Sequence, residues 1–163
     1  MTIRAWKIVS VAVVATLALT VGLSWYALRS FGAAIEATHI EGSVPSSDDF
    51  DPALRGQLVR YFWAWPNEGK TLEYELLRDG PTQSGIGAPK FYVWVRVRSQ
   101  GSVEQEGAVR LAATNGGFSV THFVPRSAIV ADPSRIRALF PEPVRDRIYG
   151  EINRDSLTLV GVQ

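Results

Sequence analysis

The chain contains 163 residues, of which 17 are Lys or Arg, 16 are Asp or Glu and none is Cys. The lack of cysteine excludes disulfides, thiol nucleophiles and thiolate metal sites. All 16 acidic residues but only 14 of the basic ones follow Arg29, so this larger part is nearly neutral and slightly acidic. Such a charge balance gives no electrostatic basis for binding nucleic acid.

The first predicted element is a membrane anchor. Residues from Ile8 to Leu28 form a charge-free apolar run, close to the roughly 20 residues that cross a bilayer core. Arg4 and Lys7 precede the run, which predicts a cytoplasmic N-terminus and an exported, periplasmic domain. Because the run is longer than the apolar segment of a signal peptide and bulky residues occupy its C-terminal end, we expect residues 1–30 to remain as a single-pass signal anchor in the inner membrane. Cleavage near Gly32-Ala33-Ala34 is the alternative.

Small residues form a stripe along this anchor. They recur every four residues and are Ala12, Thr16, Thr20 and Ser24. Such stripes let membrane helices approach closely, and hydroxyl groups then bond across the contact. The stripe therefore predicts packing against another membrane helix, although small residues are also frequent in anchors that have no such partner.

A helix extension and linker, residues 31–50, is predicted to lead into an exported domain, residues 51–163. From Gly42 to Asp49 the linker is polar and interrupted by proline. Asp51-Pro52 has the form of an N-cap followed by proline at the first helical position. An apolar face then marks a helix that ends before Pro66. Its residues are Leu54, Leu58, Val59 and Phe62.

Four strands joined by turns follow this helix. The predicted strands are Thr71–Leu77, Lys90–Ser99, Val103–Ala113 and Phe118–Val124. The second strand alternates between two faces. One face carries Phe91, Val93, Val95 and Val97, and the other carries Tyr92, Trp94, Arg96 and Arg98. We expect the two arginines to meet Glu104 and Glu106 of the third strand on a solvated face. Asn115-Gly116 predicts a type I′ hairpin turn before the fourth strand.

The C-terminal part is predicted to be mainly helical. Asp132-Pro133 and Pro143 each mark a helix start, and Leu157–Val160 is predicted as a last strand. The fold class is therefore α+β: a transmembrane helix, one helix packed on an antiparallel meander sheet, and short C-terminal helices. By element order alone this arrangement resembles cystatin-like and NTF2-like domains. The resemblance carries no motif and does not choose among functions.

Aromatic residues and a glycine-rich loop are the candidate partner-binding features. The aromatic residues are Trp63, Trp65, Tyr92 and Trp94, of a type enriched at interfaces, with core packing as the alternative. The Gly80–Pro89 loop contains Gly85 and Gly87 and is longer than an ordinary hairpin loop, which favours a binding role. It is not a phosphate loop, because Ile86 and Gly87 follow Gly85 where Lys and then Ser or Thr are required.

His122 is the candidate ligand-binding residue. It shares the alternation of Phe118, Val120 and Val124, which predicts a place on the apolar side of its strand. There it either lines a pocket or is a structural histidine bonded to a backbone carbonyl, and we favour the second interpretation. Nothing in the spacing supports a nucleophile or a metal-ligand set, so no catalytic residue, metal or cofactor is predicted.

Together these features predict a membrane-anchored accessory or scaffold protein rather than an enzyme. Its partners are an envelope protein complex and, through residues 8–28, the lipid bilayer. Two alternatives use the same architecture. One is a small-ligand-binding envelope domain with a pocket between helix and sheet, and the other is a protein that neutralises an exported toxin.

Overall fold

The computed structural model describes the backbone of residues 3–63, 69–83 and 87–160, and their side chains except at 3–18, 35–36 and 155–160. Its elements are α1 (Ile3–Ser43), α2 (Ser47–Phe62), β1 (Lys70–Leu76), β2 (Lys90–Ser99), β3 (Ser102–Thr114), β4 (Gly117–Pro125), α3 (Arg126–Ala131), a 3-10 helix (Pro133–Ile136) and α4 (Glu142–Val160). The chain forms two compact units, residues 1–39 and 40–163.

Helix α1 exposes large apolar side chains along its described part. They are Leu19, Val21, Leu23, Trp25, Tyr26, Leu28 and Phe31. At 100° per residue these positions are distributed around the whole helix rather than along one stripe. Within the residues searched, those with described side chains, no helix is long and apolar enough to span a membrane. The predicted anchor lies partly outside that set, because the side chains of residues 8–18 do not belong to it.

The predicted α+β class and antiparallel meander are confirmed in the second unit. Strands β1 to β4 form one four-stranded antiparallel sheet in chain order. The β3–β4 turn contains Asn115 and Gly116 with φ of 51° and 69°, as a type I′ turn requires. Gln100 and Gly101 between β2 and β3 also have positive φ. These two tight turns fix the pairing of β3 with both neighbours.

One face of the sheet packs against α2, as the alternation in β2 predicts. Leu54 and Leu58 of α2 are fully buried in this first core. The buried sheet residues are Leu72, Phe91, Val93, Val95, Val97, Val109, Leu111, Ala113 and Phe118. Phe50 of α2 lies edge-on to Phe91 and Phe118, with ring centroids 5.2 Å apart in both pairs.

The opposite face is also covered, so the prediction that it is solvated is wrong for most of its length. Tyr92 and Trp94 lie in a second core, and Trp94 is only 1% exposed. The side chains that cover this face come from α3 and the segments after it, and are Ile129, Ile136, Phe140, Val144 and Ile148. Tyr and Trp rings are largely apolar, so they are buried once helices with an apolar stripe follow the sheet.

Helix α2 begins earlier than predicted. Ser46 is the N-cap in place of Asp51, because its side-chain oxygen accepts a hydrogen bond from the backbone N–H of Asp49. Only residues 44–46 separate α1 from α2, so the predicted linker is mostly helical. Asp51 instead accepts a hydrogen bond from the Tyr74 hydroxyl, which ties α2 to β1. Burial, this bond and the Asp51 charge together raise the pKa of Tyr74.

The C-terminal helices follow the predicted caps but not the predicted last strand. Asp132 accepts bonds from the hydroxyl and backbone N–H of Ser134, which lower the pKa of its carboxyl group and cap the 3-10 helix. Helix α4 extends to Val160, so the strand predicted at Leu157–Val160 is wrong. A helix that has already formed gains one hydrogen bond per added residue, which favours its continuation through this segment.

Gly107 allows the end of β4 to approach β3 closely. A Cβ atom placed on Gly107 would lie 2.3 Å from the carbonyl oxygen of Val124 and 2.9 Å from Cα of Pro125. Both are backbone atoms, so neither moves unless the end of β4 moves. The lack of a side chain at Gly107 therefore permits the end of β4 to lie this close to β3.

We expect Gly107→Ala to lower the free energy of unfolding by about 2 kcal/mol, a common cost of overpacking. Gly56→Ala in α2 is the matched control, because a Cβ at that position meets nothing within 4 Å. The control should be neutral or stabilising by up to about 1 kcal/mol, since alanine favours helix. Urea unfolding followed by tryptophan fluorescence measures both, and a Gly107→Ala variant as stable as the wild type would contradict this packing.

Candidate functional site

The structure separates the aromatic residues that were predicted to contact a partner. Tyr92 and Trp94 are buried in the second core, which corrects their predicted role as surface contacts. Trp63 lies at the C-terminal end of α2, is half-buried and packs against the first core. Its indole Nε1 is buried and has no hydrogen-bond partner among the described residues. Core packing therefore takes most of the surface of these three rings.

The remaining predicted positions are exposed or lie outside the described part of the chain. The exposed ones are Thr20, Ser24 and Gly87. Trp65 and Gly85 lie outside the described residues, as do the side chains of Ala12 and Thr16. Their predicted roles stay predictions.

A β-bulge changes the position of His122. In the β3–β4 pairing Arg110 lies opposite His122 and Leu111 lies opposite Val120, so Thr121 is an extra residue. The Thr121 hydroxyl donates a 3.0 Å hydrogen bond to the carbonyl oxygen of Arg110. The extra residue reverses the alternation, so His122 lies on the face opposite Val120 and is exposed. The prediction that His122 shares a face with Phe118 and Val120 is therefore wrong, although it does share one with Val124.

A groove of about 620 Å³ lies between β3 and α3. Val103–Glu106 of β3 form one wall, and Val130 and Ala131 of α3 form the other, with Phe123 of β4 also in the lining. Val103 is 46% exposed and Val130 is 60% exposed. Large apolar side chains exposed together in a concave surface are typical of binding sites.

The first part of β3 has a free edge in this groove. Ser102, Val103, Gln105 and Glu106 pair with β2, Glu104 is an extra residue at a bulge, and pairing with β4 starts only at Gly107, opposite Pro125. The next residue, Arg126, begins α3. Among the described strands, residues 102–106 therefore have no neighbour on the groove side. A strand that is free on one side presents its backbone N–H and C=O groups to an added strand.

A network of charged groups joins α3 and α4 to the sheet next to the groove-lining residue Glu106. Oε1 of Glu106 accepts hydrogen bonds from Trp94 Nε1 at 2.9 Å and from Arg96 Nε at 2.7 Å. Its other oxygen lies 3.8 Å from Nε of Arg126 in α3. Arg96 also donates through Nη2 to Glu151 of α4 at 3.1 Å. The network joins β2, β3, α3 and α4, and so it positions the helical wall of the groove.

The described residues offer no metal centre. Among these residues no group of three or more His, Asp or Glu is placed to hold a metal ion. No known protein family, curated protein or solved structure matches the chain. The assignment therefore depends on the geometry, in which an apolar groove adjoins a free strand edge. Such an arrangement suits an extended peptide segment.

The groove was not among the predicted sites, although the sequence contains a signal for it. The third and fourth strands are predicted at Val103–Ala113 and Phe118–Val124, and Asn115-Gly116 fixes the turn between them. Counting back from that turn, the fourth strand can pair only with residues 107–113. The mismatch in strand length therefore predicts the free edge at residues 103–106.

We expect Glu151→Ala to lower the free energy of unfolding by about 2 kcal/mol, because the largely buried Arg96 then loses one of its carboxylate partners. Glu151 is only 3% exposed and accepts bonds from Arg96 at 3.1 Å and from Arg154 at 2.9 Å. Asp146→Ala on the exposed side of α4 is the control and should change stability by less than about 0.5 kcal/mol. Calorimetric unfolding measures both, and equal stability would show that the network does not hold α4.

Proposed function

We propose that this protein is a single-pass, membrane-anchored accessory or scaffold protein without enzymatic activity. In this proposal its N-terminus is cytoplasmic, its domain is periplasmic, and the domain joins or stabilises a larger envelope complex. The observation that carries the proposal is the free edge of β3 at residues 102–106, which lies in an open apolar groove. An extended segment of a partner protein is the occupant that this groove suits best.

The anchor in this proposal is supported by the sequence and by the surface of α1. The run from Ile8 to Leu28 carries no charge, and Arg4 and Lys7 precede it. Its described part exposes apolar side chains around the whole helix, an arrangement that water disfavours and lipid accommodates. Thr20 and Ser24, the exposed members of the small-residue stripe, are the positions proposed to pack against a partner's membrane helix.

The partner segment is proposed to add to the sheet as a further strand beside β3. Backbone N–H and C=O groups of residues 102–106 then bond to the segment and supply affinity. Val103 and Val130 contact its side chains and supply selectivity. Gly87, exposed in the loop before β2, is a second proposed contact of the same partner class.

We also propose that the second unit is a helix packed on a meander sheet as in cystatin-like and NTF2-like domains. The packing of α2 against one sheet face supports it. A ligand pocket between helix and sheet is less well supported, because the first core fills that space and His122 lies on the other face. Neutralisation of an exported toxin uses the same groove, with a soluble partner in place of a membrane complex.

The orientation can be tested by single-cysteine labelling, because the chain contains no cysteine of its own. We expect a membrane-impermeant maleimide to label Asp146→Cys in spheroplasts and Thr2→Cys only after lysis, since the basic flank holds the N-terminus in the cytoplasm. Both variants should stay in carbonate-washed membranes. Release from the membranes would contradict the anchor, and the reverse labelling pattern would contradict the orientation.

The groove can be tested with Val130→Arg, which places a charge on its apolar wall. We expect this variant to reduce binding of the co-purified partner by at least about tenfold, or 1.4 kcal/mol, with unfolding unchanged because Val130 is exposed. Thr71→Arg on exposed β1 is the control. A photo-reactive residue at Val130 should also cross-link the partner that Val130→Arg loses. If both variants keep the same partner, the groove is not the interface.

A further inference from the structure

Basic side chains gather at one end of the second sheet face. Lys90 precedes Tyr92 by two residues in β2, so the two side chains lie on the same face. Arg110 of β3 lies opposite Tyr92 on one side and opposite His122 of β4 on the other. Lys90 pairs with Ala112, which makes it a diagonal neighbour of Arg110. Lys90, Arg110 and His122 therefore occupy adjacent positions beside the second core.

The two permanent cations of this cluster have no countercharge within the described part of the chain. Neither Lys90 nor Arg110 forms an ion pair there, whereas Arg96 on the same face pairs with Glu106 and Glu151. The Nε atom of Arg110 is buried and has no hydrogen-bond partner among these residues. Burial and the positive charge of Arg110 both lower the pKa of Lys90. Two like charges are thus held close together with no carboxylate paired to either among the described residues.

Hydroxyl groups adjoin the same cluster. Thr82 and Lys90 exchange two backbone hydrogen bonds of 2.8 Å, which bring the loop before β2 against the sheet. Oγ1 of Thr82 lies 2.7 Å from the hydroxyl oxygen of Tyr92. A guanidinium fork, an ammonium group and hydroxyl donors are the groups with which proteins bind phosphate-type oxyanions. A bound oxyanion also removes the cost of leaving partly buried cations unpaired.

We propose that Lys90, Arg110 and His122 form a binding site for a phosphate-type oxyanion. Arg110 supplies the fork, Lys90 supplies a point charge from the neighbouring strand, and His122 bounds the exposed side. The oxyanion belongs either to a soluble ligand or to the headgroup of an anionic lipid. The site differs from the groove, whose β3 residues end at Glu106, and it does not depend on the proposed scaffold function.

The test uses the full chain in an uncharged detergent, with inorganic phosphate as the probe in isothermal titration. We expect the wild type to bind phosphate, and Arg110→Gln and Lys90→Gln each to weaken binding at least about tenfold. Arg60→Gln on exposed α2 is the control, because it changes the net charge equally away from this sheet face. No binding by the wild type at millimolar phosphate would overturn the proposal, as would equal binding by all four proteins.

A second measurement separates binding from a structural role. Without phosphate, Arg110→Gln and Lys90→Gln should melt at or above the Tm of the wild type, because each removes one of two repelling cations. Phosphate should raise the Tm of the wild type and of Arg60→Gln but not of the two site variants. A lower Tm in both site variants without phosphate would assign the cluster to structure and overturn the proposal.

The source of the oxyanion is distinguished in lipid nanodiscs. If a lipid headgroup fills the site, phosphatidylglycerol should abolish phosphate binding that phosphatidylcholine leaves intact, since it carries the net negative charge. If the ligand is soluble, phosphate affinity should be the same in both lipids. Both results support the site and differ only in what occupies it.

Discussion

The structure depends on one constraint, which is that β2 is buried on both faces. Five successive residues, Phe91 to Val95, are buried, so neither face of this strand can be left to water. Each large aromatic ring buries about 150–250 Å² of surface. Tyr92 and Trp94 must therefore be covered by other elements, just as the valines on the opposite face of β2 must be. Helix α2 covers one face, and α3 with α4 covers the other. The groove and the basic cluster lie at the edges of the sheet area that α3 and α4 cover.

The burial of the sheet face that packs against α2 could be predicted from the sequence, whereas the burial of the opposite face could not. Branched residues alternate along β2 with a period of two, and the structure buries them against α2. The intervening residues include Arg96, whose charge indicates solvent when the strand is considered alone. Its burial becomes possible only because Glu106 and Glu151 arrive from β3 and α4. Local periodicity does not reveal these partners, because they lie 10 and 55 residues away in the chain.

The same limit applies to the candidate sites. The Asn115-Gly116 turn was predictable because only a few residue pairs favour two successive positive φ angles. The bulge at Thr121 was not, since a threonine in a strand gives no sign that it will be left unpaired, and the error moved His122 to the wrong face. Alternation along β2 and β3 is consistent with the face that Lys90 and Arg110 share, but their lack of carboxylate partners among the described residues is a property of the folded surface. Predicting the free edge of β3 required only a comparison of the lengths of the third and fourth strands.

The helices that cover the second face follow the sheet in the chain, and this order affects how the protein is made. Trp94 is synthesised well before Ile148, which helps to bury it. At translation rates of about 5–20 residues per second, Ile148 follows Trp94 by roughly 3–11 seconds, and until then the nascent chain lacks part of the cover for this face. During that interval the chain is a ready substrate for chaperones and for aggregation. A chain that is truncated before α4 therefore keeps this apolar surface exposed. Quality-control proteases are expected to degrade such a product.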